Sequence, residues 1–552
     1  MANAIGPRER TFLEDETIYW KRRLVSVLPS QNQCDLLVSY FFENINWVYQ
    51  VIHGPSFRAE YAALWAKDVA DVDLIWLSLL FIIVCLSSMC MPGEMAEAVG
   101  FETADMEGLT RRWYLACRQA LQAGGYDAKP TLTQIQVFLI SQPYWYSTKS
   151  IETLNSHLGQ AIRNAQALGL DKESPASITD CLEREMRHRV WWDLVTCDTF
   201  QSFCLSRPPL LQSHLSSVPF PSNCNDVDMT PTGINVRPLS EPTETSLHHF
   251  RARVFKVFNR LYINNCANLS SYSFVSAIDD EVTAITNEFP WYFDLPREGF
   301  VPPWERLPPN FSFLPWQYHL LHSCINIQRV RMYRPFLHPL PAGDSWARCV
   351  DAASSALAAY RAIRARDPRQ LLRSHKTRSQ AYQLVSSAVV IGTFLLVERP
   401  PDPALSRIRS DVEMIITDLR RLQGVAMVSD GLRVLHRILA LYDARNSTKD
   451  SHVARERVAE APTTLVPGIF SFFGGESSAR KYLERCAIEY IMNDQSEGGY
   501  GSPGESGSAG PSEGFMWEAL LDVSIWGESG DAFWAELDFS GEGGMGFDQR
   551  GG

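Results

Sequence analysis

Three groups of residues in this 552-residue chain have types and spacings that could do chemistry. His248 and His249, with Glu241 nearby, are the first, since imidazole and carboxylate ligate transition metals. Neighbouring positions on a helix point about 100° apart, so the two rings do not share one site easily, and exposed histidines are expected. Asp279-Asp280-Glu281 is the second, a run that could hold a divalent cation on a helical bundle, but no matching acidic run stands on another segment. The third is Gly541–Gly546, a G-x-G-x-x-G without the preceding strand or following helix that a dinucleotide fold needs. The sequence has no G-x-S-x-G, H-E-x-x-H or Walker-type loop. None of its twelve cysteines forms a C-x-x-C pair. The expectation is a protein that is not an enzyme, binds no metal or other cofactor through this chain, and keeps its thiols reduced and buried.

The elements that would position any such residues read as helices almost throughout. Apolar residues recur at three and four in Cys34–Trp47 and in segments near 106–123, 131–146, 150–168, 180–205, 247–269, 275–288, 314–334, 346–365, 376–398, 403–423 and 428–443. His53-Gly-Pro breaks the chain, and Ser56 can cap a helix from Phe57. Thr131 after Pro130 starts another helix, and Gly169 ends the next. Leu74–Met91 has 18 residues without charge, yet serines interrupt it and acids flank it, so a buried core helix is expected in place of a membrane span. Alternating patterns with hairpin turns are absent, and the fold class is all-α. Ser222–Ser246 reads as an irregular polar excursion, and Phe289–Leu314, with prolines interleaved among aromatics, as an ordered loop.

Charge is unevenly spread. Residues 493–552 carry twelve Asp and Glu against one base, Arg550, which is −11 of the chain's net −12. The remainder is nearly neutral and offers no domain-wide basic field to nucleic acid. Within that tail, Ser496–Ser512 is rich in Gly, Ser, Pro and Glu and is expected to be disordered. Beyond it the acids alternate with Trp517, Leu521, Trp526, Phe533, Trp534 and Phe539. Carboxylate repulsion keeps such aromatics from collapsing together, leaving them free to insert into a partner's groove, as acidic-hydrophobic activation segments do.

Glu185 to Asp198 is the most unusual stretch, with Arg187, Arg189, adjacent Trp191 and Trp192, and a carboxylate at 198, followed by Arg207-Pro208. On a helix, Trp191, Leu194 and Asp198 share one stripe, and Trp192 widens its apolar face. A buried Asp198 needs a cationic or hydrogen-bonding partner, and Arg207 is the candidate. Pro208 and Pro209 end the helix. The same residues would serve equally as a tryptophan-rich core helix with one buried ion pair, so they imply packing and not catalysis.

This stretch resembles the signature of the regulatory middle homology domain of fungal zinc-cluster transcription factors. Leu28-Pro-Ser30, Asp35–Phe42, Ile52–Phe57 with Tyr61 and Trp65, Ala161–Leu170, and His319 to Tyr333-Arg334-Pro335-Phe336 are similar to further segments of that domain. Ser206 stands where the family usually has Gly. The resemblance implies a nuclear transcription regulator, with homodimerisation as one mode of assembly and no membrane attachment. The family's DNA reader is a six-cysteine zinc cluster, and this sequence does not supply it. DNA would then be reached through a module upstream of this sequence or through a DNA-bound partner, and the tail would meet a coactivator or the transcription machinery.

The expected organisation is an N-terminal extension (1–27), an all-helical regulatory domain (28–445), a linker with a short helix (446–492) and a disordered acidic-hydrophobic tail (493–552). The alternative is a helical scaffold or small-ligand-binding protein with no transcriptional role.

Overall fold

The computed structural model describes residues 7–446, except 149, 174–177, 206, 263–270, 338–342, 367–380, 396–402 and 423–425. The chain divides into two units, residues 1–492 and 493–552. The second lies wholly outside the described residues, and with it the six aromatic and aliphatic anchors of the tail.

The first unit is all-α among the described residues, as the periodicity requires. Its first half runs α1 (Pro7–Val25), α2 (Gln31–Asn44), α3 (Gly54–Leu64), α4 (Leu74–Cys90), α5 (Gly93–Glu97), α6 (Met106–Ala123), α7 (Leu132–Ser147), α8 (Ile151–Ala167) and α9 (Cys181–Leu205). Its second half runs α10 (Ser246–Asn259), α11 (Tyr272–Asn287), α12 (Leu314–Tyr333), α13 (Ser345–Arg366), α14 (Ala381–Phe394), α15 (Pro403–Leu419) and α16 (Ala426–Asn446). The two halves bury separate hydrophobic cores. One is built on α4, whose neighbours are α2, α6 and α7. The other is built on α12, which packs against α13, α10 and α14.

The 18-residue apolar run is the axis of the first core. Asp73 caps α4 by accepting from the N–H groups of Ile75 (2.8 Å) and Trp76 (3.3 Å), and only Trp76 and Met89 of the helix are partly exposed. No helix among the described residues is long and apolar enough to cross a membrane. The N-terminal segment is more than an extension. It forms α1, which packs on α6, while Leu24 is buried, the Lys21 ammonium donates to the Ala70 carbonyl (2.5 Å) and the Trp113 indole donates to that of Val27 (3.3 Å). Its polar composition hid the few apolar residues that dock it.

The start of α3 also differs from expectation. The helix begins at Gly54, with His53 as its cap accepting from the Ser56 N–H at 3.3 Å. A Gly-Pro pair is tolerated in a first helical turn, where the N–H groups have no intrahelical partner. Thr131 and Gln134 do form a capping box at α7. Gly169 takes a left-handed φ of +68° just past α8, where a side chain would be strained.

Three loops carry the architecture. Residues 45–53, between α2 and α3, run through the interior. Trp47 and Val48 belong to one core, and Ile45, Val51 and Ile52 to the other. A buried loop must find partners for its carbonyls. Gln136 on α7 donates to Val51 O (2.6 Å), Gln317 on α12 to Trp47 O (3.2 Å), and Arg251 on α10 to Val48 O (3.4 Å). Residues 222–246 hold a two-residue hairpin, β1 (Met229–Thr230) against β2 (Gly233–Ile234), that alternation in the sequence does not reveal because it is too short. Residues 289–314 form an ordered loop of short 3₁₀ turns, with Tyr292, Phe293, Trp304 and Phe311 buried.

Candidate functional site

Helix α9 lies where the two cores meet, and one edge of it is a buried polar seam. Glu185, Arg189, Asp193, Cys197 and Gln201 follow at intervals of four, which stacks them along one side. All five are buried. Arg189 is the centre of the seam. Its Nε donates to Glu185 Oε1 (3.1 Å) and its Nη1 to Asp226 Oδ1 (2.7 Å), while Nη2 reaches Cys224 Sγ (3.3 Å) and Met229 Sδ (3.2 Å). Glu185 Oε1 accepts a further bond from the Ser222 N–H (3.0 Å). Burial works against the guanidinium charge, but Asp226 and Glu185 outweigh it and the Arg189 pKa is raised. Burial likewise raises that of Glu185, with Arg189 pulling it back.

Asp226 ties this centre to α3. Its Oδ2 accepts from the Gly54 N–H at 2.8 Å and its carbonyl accepts from His53 Nε2 at 3.0 Å. A carbonyl only accepts, so His53 carries its proton on Nε2 and leaves Nδ1 free to cap α3. A β-carbon on residue 54 would sit 3.1 Å from Nη1 of the exposed Arg58 side chain. Glu244 closes the ring by accepting from the Asp226 N–H at 2.7 Å.

One turn further along α9, Asp193 pairs with Arg251, whose Nη2 also donates to His248 Nδ1 at 3.0 Å. Burial pushes the Asp193 carboxyl up to about 6 against the pull of Arg251. The seam ends on α7, with Cys197 Sγ donating to Gln142 Oε1 (3.3 Å) and Gln201 donating to the Tyr146 hydroxyl (2.5 Å).

The other signature residues fasten the outer side of α9. Arg187 donates to the Leu168 carbonyl at 2.6 Å, satisfying the C-terminus of α8. The indoles of Trp191 and Trp192 donate to Ser216 Oγ (3.1 Å) and to Pro219 O (2.8 Å). Arg207 is not the partner of Asp198. It forms an exposed bidentate pair with Glu152 on α8 (2.8 and 3.0 Å). Asp198 accepts instead from the N–H groups of Leu210 (3.1 Å) and Leu211 (2.7 Å). Pro208 and Pro209 have no N–H, so these are the first two donors after the turn that they impose. With no cation against it, burial raises Asp198 to about 6 while the two N–H groups pull it down. Pro335 lies exposed in the 3₁₀ turn Arg334–Leu337, and the side chain of Arg334 falls outside the described residues, as does Ser206.

The other candidates resolve as structure. His248 is buried, with its pKa well below the ordinary value because burial disfavours the cation. His249 is half-buried against the Pro221 carbonyl (2.8 Å). The expectation that both are exposed was therefore incorrect, since α10 turns His248 toward Asp193 of α9 and His249 toward the loop at Pro221. Asp279 is fully buried and held by Arg329 (2.6 and 3.1 Å), Arg348 (2.8 Å) and Tyr333 (3.1 Å), which leaves it no valence for a cation. Eight of the nine cysteines whose side chains are described are buried. Among the described residues no group of three His, Cys, Asp or Glu could hold a metal. Sequence reasoning missed Asp193, Asp226 and Arg251. The four-residue spacing 185–189–193 was a usable signal, whereas nothing local marks Asp226 as a buried anchor.

The sequence profile described as "Fungal specific transcription factor domain" matches residues 38–288, from α2 through α11, and so contains the whole seam. The chain carries a fungal-specific transcription factor domain. Its relatives are named as transcription factors and regulators. The chain is 24% identical over 301 residues to an uncharacterized transcriptional regulatory protein of Schizosaccharomyces pombe, covering 51% of this chain and 38% of that protein. It is 26% identical over 357 residues to the agnestins biosynthesis cluster transcription factor of Paecilomyces divaricatus (60% and 49%). It is 22% identical over 462 residues to the equisetin cluster transcription factor of Fusarium heterosporum (79% and 65%). The chain spans about half the length of the curated relatives it matches.

Proposed function

We propose that this chain regulates transcription in the nucleus, with the two-core helical domain as its regulatory body and residues 493–552 as its activating segment. The observation that carries the reading is the family domain over residues 38–288, whose signature helix α9 joins the two cores. No catalytic role is assigned, and DNA is reached through a partner or through a module outside this sequence. The tail enters by its composition alone, twelve carboxylates alternating with large apolar side chains.

The test is a reporter driven by residues 493–552 fused to a heterologous DNA-binding domain. The expected result is transcription well above that of the DNA-binding domain alone, lost in the triple variant Trp517→Ala/Trp526→Ala/Trp534→Ala. Equal, silent output from wild type and variant would remove the tail from the account.

A further inference from the structure

The first unit contains a cleft of about 460 Å³ that the seam does not use, between the loop Pro296–Glu298, one face of α13 and the first turns of α15. That volume falls within the roughly 300–1,000 Å³ of small-molecule sites. A second cavity, between α6, α7 and α8, measures about 40 Å³ and is too small for a metabolite.

The wall of the larger cleft has an unusual balance. Three guanidiniums (Arg297, Arg361, Arg407) face three carboxylates (Glu298, Asp351, Asp411), and among the described residues no aromatic ring lines it. A flat apolar ligand would find little to stack on, a dianion would meet the carboxylates, and a dication would meet the arginines. Arg407 and Glu298 are 73% and 74% exposed and bridge at 3.0 Å. A pair this exposed is screened by water and contributes little, so a ligand carboxylate can replace Glu298 on Arg407 at small cost. Asp351 is 66% exposed and, among the described residues, held only by a long contact, 3.3 Å to Arg329, which leaves it open to an ammonium. Deeper in, Asp411 pairs with Arg361 and is 14% exposed, a fixed polar floor. The hydroxyls of Ser354, Ser355 and Ser410 line the same space without a protein hydrogen-bond partner among the described residues.

We infer that this cleft binds a small zwitterion of the α-amino-acid type, with its carboxylate on Arg407, its ammonium on Asp351, and the serines meeting polar atoms of its side chain. The inference makes no use of transcription or of the tail, so its failure would leave the proposed function standing.

The experiment is isothermal titration of the purified full chain with each common α-amino acid, alongside succinate, putrescine and erythritol as dianion, dication and neutral polyol. Saturable binding of one or more amino acids below about 10 mM is expected, with none for the other three. Arg407→Gln and Ser410→Leu, both at exposed positions that leave the folded circular dichroism and Tm unchanged, should each weaken it at least about tenfold. Absence of saturable amino-acid binding, tighter binding of succinate, putrescine or erythritol, or amino-acid binding indifferent to both substitutions would overturn the inference.

Discussion

Arg189 and Asp226 are 37 residues apart in the chain and meet at 2.7 Å in an interior that leaves the arginine side chain 1% exposed. This contact fastens the signature helix to the loop after it, and Asp226 passes the tie to Gly54 at the start of α3. Removing one member of a buried charge group leaves the others uncompensated, which costs about 3–5 kcal/mol. Arg189→Met should therefore lower the unfolding free energy by that order in urea titrations. In a double-mutant cycle with Asp226→Asn, the second substitution should cost much less once the first is made. Additive losses would show that the two residues do not act as a pair.

Asp198 and Arg207 should separate cleanly. Arg207 is 50% exposed and its partner Glu152 71%, so Arg207→Ala should change stability by less than about 1 kcal/mol. Asp198→Ala strands the N–H groups of Leu210 and Leu211 and should cost on the order of 2 kcal/mol or more. Equal effects from the two variants would put the arginine back beside the aspartate.

Acid should weaken the fold, and the sign follows from two opposed sets of groups. Burial holds His157, His188, His319 and His322 down to about 4 in the folded protein, against an ordinary 6.5. Their contribution is complete above pH 6.5 and is lost as the pH falls toward 4. Asp193 and Asp198, raised by burial to about 6, contribute the other way, favouring the folded state below their unfolded value and losing that contribution as pH rises through 6. Burial also lowers His248 and His249 and raises Glu60, Glu185 and Glu244, so six rings stand against five carboxylates, and the urea midpoint should drop between pH 7 and pH 5. His319→Phe, which keeps a ring against Tyr360, should flatten that slope. A midpoint that climbs on acidification would mean the carboxylates dominate.

The buried loop 45–53 gives a local test. Gln317 donates to both Trp47 O (3.2 Å) and Glu244 O (3.2 Å), and Gln317→Leu would leave two buried carbonyls short of a donor. A loss of about 1–3 kcal/mol is expected, with faster amide hydrogen exchange concentrated in residues 45–53. Uniform acceleration across both cores would argue against a local role.

These residues also show what could be read beforehand. Helices were legible because apolar periodicity and caps are local signals, so Thr131, Gly169 and the ends of α6, α12 and α13 could be placed from the chain alone. The residues of α9 were singled out for their rarity, and their burial followed from the tryptophans. Their partners were not legible, because Asp226, Arg251 and Leu211 come from distant segments whose approach depends on tertiary packing. Proximity in sequence suggested Arg207 for Asp198, yet two prolines aimed backbone donors there instead. The part played by the polar excursion at 222–246 was hidden for the same reason, since Asn223, Asp226, Thr243 and Thr245 are buried in it while residues 230–232 and 238–241 face solvent.

The central claim, that this chain regulates transcription, is tested most directly by mapping where the tagged protein sits on chromatin in its native host, together with the transcripts that change on its rapid depletion. The account predicts enrichment at a defined set of promoters whose transcripts change when the protein is removed. No enrichment above an untagged strain, with transcripts unaffected by depletion, would contradict it.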